Sequence, residues 1–262
     1  MNARSGMTRR MALGVAALAA IAVSAVPGPA SAATDSSEHW GVITRNTIGS
    51  PVAELRNGPY GSFGKTGSTS KPPYGKGSLG IEVANNSTTL SPPSEKVDFG
   101  NEVDFYGDPV LGLNQVGFYV FQTGENISAS YGGPNNMPNI RFEIDPNLTV
   151  LPAVNYSTMT WVPDPVPAAN VDAWSPYLNA ATSGGWYLSG AAGTSTGCTV
   201  SSRCTFQALK TALNDGGDAP TILTAAVGKG RDNMWIGAVD GLRINQKIYD
   251  FEANGVVTRS IL

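Results

Sequence analysis

The apolar residues of this chain arrive in short runs with a two-residue rhythm, and that rhythm restricts the fold more than any other feature. Leu79, Ile81 and Val83 alternate with Gly80, Glu82 and Ala84, and Ile140, Phe142 and Ile144 alternate with Arg141, Glu143 and Asp145. A period of two sends successive side chains to opposite faces, so each run offers one apolar face to a core. Residues 116–121 are apolar on both parities, as a strand covered on both sides would be. Further runs at 158–162, 186–188, 221–227, 235–244 and 247–251 are separated by Gly, Asn, Asp or Pro clusters. Many short strands divided by turns predict an antiparallel sandwich or barrel and not alternating βα units.

One segment breaks the rhythm. Thr205 can cap a helix whose face is Phe206, Leu209, Ala212 and Leu213, so a single short helix is predicted near residues 205–214. Just before it lie the chain's two cysteines, Cys198 and Cys204. In an exported protein two such residues are expected to form a disulfide that pins a local loop.

Export is itself predicted. Arg4, Arg9 and Arg10 precede an apolar run at 11–26, and Ala30-Ser31-Ala32 offers small residues before a cut. That order of basic, apolar and small residues makes residues 1–32 a signal peptide and the mature chain extracellular. Residues 33–76 read as a polar N-terminal arm, with Trp40 and Val42 able to dock it, and residues 77–262 as one β-sandwich domain. The net charge is −3 and becomes more negative once the three signal arginines are gone. Nucleic acid and anionic membrane are therefore excluded as expected partners, and no second apolar run is long enough to span a bilayer. A monomer is expected.

The chemistry-bearing residues are few. Glu143 and Asp145 share one strand face about 7 Å apart, with Arg141 beside them. The only histidine is His39 and no Gly-x-Ser-x-Gly elbow exists, so no residue is assigned as catalytic. Trp161, Trp174, Tyr177, Trp186 and Tyr187 crowd a segment rich in Pro, Asn, Ser and Gly, and such rings suit stacking on sugars. Asp240 has the parity of apolar Ile236, Ala238, Leu242 and Ile244. Either it points inward and needs a compensating partner such as Ca²⁺, or the parity shifts at a bulge and it caps a turn.

Glu-Ile-Asp at 143–145 resembles the strand at the heart of laminarinase-like retaining glycosidases, but here Pro146-Asn147-Leu148 follows and their second glutamate is missing. Gly77-Ser78-Leu79-Gly80-Ile81-Glu82, together with Ala238 to Ile244 and Tyr249-Asp250-Phe251-Glu252, resembles the outer strands of carbohydrate-binding modules with a jelly-roll, concanavalin-like sandwich, and exported actinobacterial proteins of that type. The resemblance implies an all-β sandwich, a glycan or cell-surface polymer as ligand, and a structural calcium at Asp240. Ligand contacts are expected from the five aromatics with Arg141, Glu143 and Asp145. Two alternatives stand beside this: a glycan-active hydrolase or lyase in which Glu143 or Asp145 works with a distant acid such as Glu82, Glu102 or Asp104, and a structural or inhibitory exoprotein that binds another protein.

Overall fold

The structure is a computed structural model that describes residues 35–58, 70–165 and 171–261; the signal read in residues 1–32 lies outside them. It is an antiparallel β-sandwich. The first sheet has nine strands: β1 (Asp35–Ser37), β3 (Val52–Asn57), β4 (Gly77–Val83), β6 (Val116–Gln122), β9 (Ala173–Trp174), β10 (Leu178–Asn179), β13 (Trp235–Ile244), β14 (Lys247–Glu252) and β15 (Gly255–Ser260). They run β1-β15-β14-β13-β4-β3, and β6 pairs with β13, β9 and β10. The second sheet has six: β2 (Trp40–Val42), β5 (Val97–Asn101), β7 (Asn139–Asp145), β8 (Ser157–Val162), β11 (Gly185–Leu188) and β12 (Thr221–Lys229), in the order β11-β8-β7-β12-β5-β2.

The alternation seen in the sequence decides which residues meet between the sheets. Leu79, Ile81 and Val83 of β4 and Phe118 and Val120 of β6 join Ile140, Phe142 and Ile144 of β7, Met159 and Trp161 of β8, and Trp186 and Leu188 of β11 in one core. β6 is covered on both sides as predicted, since Phe121 on its other face is fully buried against Trp174.

The structure goes beyond the sequence reading in two places. The arm, whose docking the sequence left open, is built into the sandwich: β1 pairs with β15, β2 with β5, and β3 with β4, so residues 35–57 supply strands to both sheets. Trp40 anchors it, its ring 5.0 Å from that of Tyr249 and 6.4 Å from that of Phe99. The second is a helix beside the predicted one. α2 (Phe206–Leu213) begins at Thr205, whose hydroxyl accepts a hydrogen bond from Ala208 N, but α1 (Gly190–Thr196) precedes it. The α1 sequence is Gly-Ala-Ala-Gly-Thr-Ser-Thr: two alanines favour a helix, but the two glycines and three hydroxyl residues do not and no apolar helical periodicity marks it, so tertiary packing sets it. Among the described residues no helix is long and apolar enough to cross a membrane.

Candidate functional site

The second sheet turns a polar face away from the core, and strand register sets its pattern. Arg141 lies opposite Ala226 on one side and Thr160 on the other; Glu143 lies opposite Thr224 and Thr158; Thr160 lies opposite Tyr187. On an open sheet such side chains would be solvated. Here Arg141 and Glu143 are 7% and 3% exposed, because loops fold over the strand ends.

Glu143 is the most highly connected of them. One oxygen accepts from Asn46 Nδ2 at 2.9 Å and from the Tyr156 hydroxyl at 2.8 Å, and the other from the Arg45 guanidinium. Burial pushes its pKa upward, yet the hydrogen bonds from Asn46, Tyr156, Thr224 and Arg45 outweigh it and hold the carboxyl below the ordinary glutamate range. Arg45 also pairs with Glu102, so one guanidinium ties two carboxylates together. Arg141 is bound to Asp98 of β5, and Lys96 Nζ stands 3.5 Å from the same carboxylate. Gly228 lies opposite Asp98, and a Cβ there would collide with the Asp98 carboxylate, so only glycine fits.

Two depressions open on this face. An acidic groove of about 480 Å³ has Glu143, Asp145 and Glu102 in its wall with Arg45, and Tyr106 and Tyr156 at its edge, 71% and 49% exposed. A recess of about 640 Å³ lies toward the other end of β7, with Arg141, Arg203 and Arg231 in its lining beside several asparagines.

The residues expected to bind ligand are divided among three places. Arg141, Glu143 and Asp145 share the polar face, and Tyr187 lines the larger recess. Trp161 and Trp186 are core residues with no exposed surface; their indole N–H groups donate to Ser183 O at 2.8 Å and Ala180 O at 2.7 Å, so their expected role in stacking is corrected to packing. Trp174 belongs to β9 of the first sheet and packs against Phe121, and Tyr177 lies in the connection from β9 to β10, against Tyr119. Of the distant acids, Glu102 reaches Glu143 through Arg45, Glu82 pairs with Arg56 in the first sheet, and Asp104 bonds His39 at 2.5 Å. Arg45, Asn46, Tyr106 and Tyr156 were not legible as site residues, because they lie on irregular segments whose position no local pattern encodes. Cys198 and Cys204 form the expected disulfide.

Asp240 is buried, but not between the sheets. Register pairs it with Tyr119, and a bulge between Asp240 and Arg243 returns Leu242 and Ile244 to the core. Gly241 makes the bulge with φ +59°, which a side chain would strain. The Asp240 oxygens accept from Tyr74 N at 3.0 Å and Phe251 N at 3.1 Å. Burial, with the nearby Asp250 carboxylate adding to it, raises the Asp240 pKa to about 7 against those hydrogen bonds. Calcium takes six to eight oxygen ligands. Around Asp240 the structure supplies N–H donors, and among the described residues no group of three or more His, Cys, Asp or Glu is placed to hold a metal.

No protein-family model, no curated protein and no solved structure matches this chain.

Proposed function

We propose that this chain is a secreted, non-catalytic glycan-binding protein with a jelly-roll, concanavalin-like sandwich, and that it holds its ligand on the outer face of the second sheet. The observation that carries the reading is Glu143: an ionised acceptor fixed by Arg45, Asn46 and Tyr156 inside a groove edged by the exposed rings of Tyr106 and Tyr156. Sugars present hydroxyl pairs in a plane and a C–H face beside it. A pre-positioned carboxylate and guanidinium serve the first, and flat rings serve the second. The extracellular setting rests on the signal in residues 1–32.

Binding of the mature protein to a panel of soluble and insoluble polysaccharides tests this. Tyr106→Ala combined with Tyr156→Ala should weaken retention on any bound polysaccharide by about tenfold or more, since loss of an aromatic anchor at a binding site commonly costs over 1 kcal/mol. Retention unchanged by the double substitution would remove the groove from the account.

Glu102 favours a second reading, a retaining hydrolase. Retention needs two carboxyl groups about 5 Å apart, one of them protonated. Glu143 is held ionised and would be the nucleophile, leaving Glu102 or Asp145 as acid. Release of reducing sugar by the wild type, abolished in Glu143→Gln, would replace the binding reading with this one.

A further inference from the structure

We infer that the larger recess on the same face is an oxyanion subsite, which takes a carboxylate or phosphate carried on a hydroxylated unit of the polymer. This deepens the glycan reading and rests on it. The recess holds more positive charge than the chain around it would suggest, for the protein as a whole is net negative. Two of its charged residues are already compensated: Arg141 by Asp98, and Asp232 by the buried Lys229. Arg203 and Arg231 are left, and neither has a carboxylate partner among the described residues. Arg231 spends one terminal nitrogen on Pro92 O at 3.0 Å, while its Nε is buried without a partner. An unpaired buried donor is costly, and an oxyanion would relieve it.

A second orphan lies in the same wall. Asn136 is 2% exposed and its Nδ2 is anchored on Met234 O at 2.5 Å, which fixes the amide and leaves Oδ1 buried without a donor. A ligand hydroxyl would satisfy it. The recess therefore offers donors for an anion and an acceptor for a hydroxyl, with Tyr187 and Val200 as an apolar wall for a ring face.

The disulfide explains how this wall holds its shape. Val200 and Arg203 both lie between Cys198 and Cys204. That loop is fastened to β11 by Trp186 N to Cys204 O and Cys204 N to Trp186 O, each 2.8 Å, and by Leu188 N to Cys198 O at 2.8 Å. Arg203 is thus presented from a clamped loop, which lowers the entropy lost when it engages a ligand.

Titration calorimetry on the mature protein tests the inference with four probes: an oligogalacturonate, a neutral oligogalactan of equal length, a glycerol phosphate oligomer and inorganic phosphate. At least one acidic oligomer should bind about tenfold more tightly than the neutral one, and Arg203→Gln and Arg231→Gln should each remove most of that difference, as expected for a charge-assisted contact. Whichever acidic oligomer binds identifies carboxylate or phosphate as the source. Equal affinity for acidic and neutral oligomers overturns the subsite and leaves the glycan reading standing. An acidic preference that survives both substitutions overturns its placement in this recess. Phosphate binding alone, without any oligomer, overturns the recess as a subsite for a polymer unit, and the glycan reading then rests on the polysaccharide panel. Binding of none of the four overturns the subsite, and the polysaccharide panel then decides the broader reading independently.

Discussion

Glu143 and Asp240 are both buried carboxylates on outward-turned strand positions, and they titrate in opposite directions. Glu143 meets a guanidinium, an amide and a phenol hydroxyl, and is held below its ordinary pKa. Among the described residues Asp240 meets backbone amides and the Asp250 carboxylate, and it rises to about 7. Burial is the leading upward influence on both; the side-chain partners make the difference. A carboxylate braced by cationic and neutral donors is ready to receive ligand hydroxyls. One enclosed by main chain under Tyr74 has no such use, and its burden falls on stability.

The largest expected effect lies at Asp240. Its folded pKa lies above the unfolded value, so between about pH 4 and pH 7 the native state retains a proton that the unfolded chain has lost. Stability therefore falls as pH rises through that window, by up to about 4 kcal/mol, and levels off above it. Chemical denaturation across pH 4 to 8 should show this decline, and Asp240→Asn should flatten it; a decline of equal size in the variant would shift the cause elsewhere. Calcium would hold the carboxylate ionised and reverse the trend at neutral pH. Because N–H donors already face both oxygens, we expect coincident melts in calcium and in EDTA, and a calcium-dependent rise that Asp240→Asn abolishes would place the cation at this carboxylate.

A slightly smaller effect is expected from Arg141→Met. Asp98 is buried, and removing its closest cation leaves Lys96, 3.5 Å away, as the cation among the described residues that can answer it. A loss of about 3 kcal/mol in denaturant unfolding should follow, at the low end for a broken buried pair. A change below about 1 kcal/mol would show that Lys96 suffices and that the pair matters little.

Glu143→Gln should cost about 2 kcal/mol, because its charge-assisted hydrogen bonds are replaced by weaker ones. Its pH signature runs against that of Asp240. A depressed folded pKa stabilises the native state above the unfolded pKa, and this is lost as pH falls through the folded value. The variant should therefore lose less stability than the wild type on strong acidification, and an unchanged acid limb would contradict the assigned bracing.

Replacing Cys198 and Cys204 together by alanine should cost about 2 kcal/mol for so short a loop. Its more informative consequence is weaker binding of acidic oligomers in the recess with the acidic groove unaffected.

How much of this the sequence revealed differs between the two carboxylates. The alternation around Ile140, Phe142 and Ile144 was enough to place Arg141, Glu143 and Asp145 on one outward face, because a strand's period is local. That the face is half closed was not legible, since Arg45, Asn46 and Tyr156 come from irregular segments that only tertiary folding brings over it. At Asp240 the same period misleads, for a single positive-φ glycine inserts a residue and reverses the parity that Leu242 and Ile244 suggest. The parity shift at a bulge matches that geometry, but Asp240 caps no turn, since it lies buried within β13. The five aromatics show a different limit: composition cannot separate a core tryptophan from a stacking one. β5 and β15 are not legible in the sequence because Asp98, Gly100 and Asn101, and then Thr258 to Ser260, break the apolar rhythm.

The central claim is that ligand lies on the outer face of the second sheet and not on the first, where Tyr74, Tyr119 and Tyr177 form a competing aromatic cluster. The most direct measurement is amide chemical-shift mapping during titration with a fragment of whichever polysaccharide the panel retains. The shifted amides should cluster at Asn46, Glu102, Arg141, Glu143 and Tyr156. Shifts gathered instead around Tyr74, Tyr119 and Tyr177, with Glu143 and its neighbours unmoved, would contradict it.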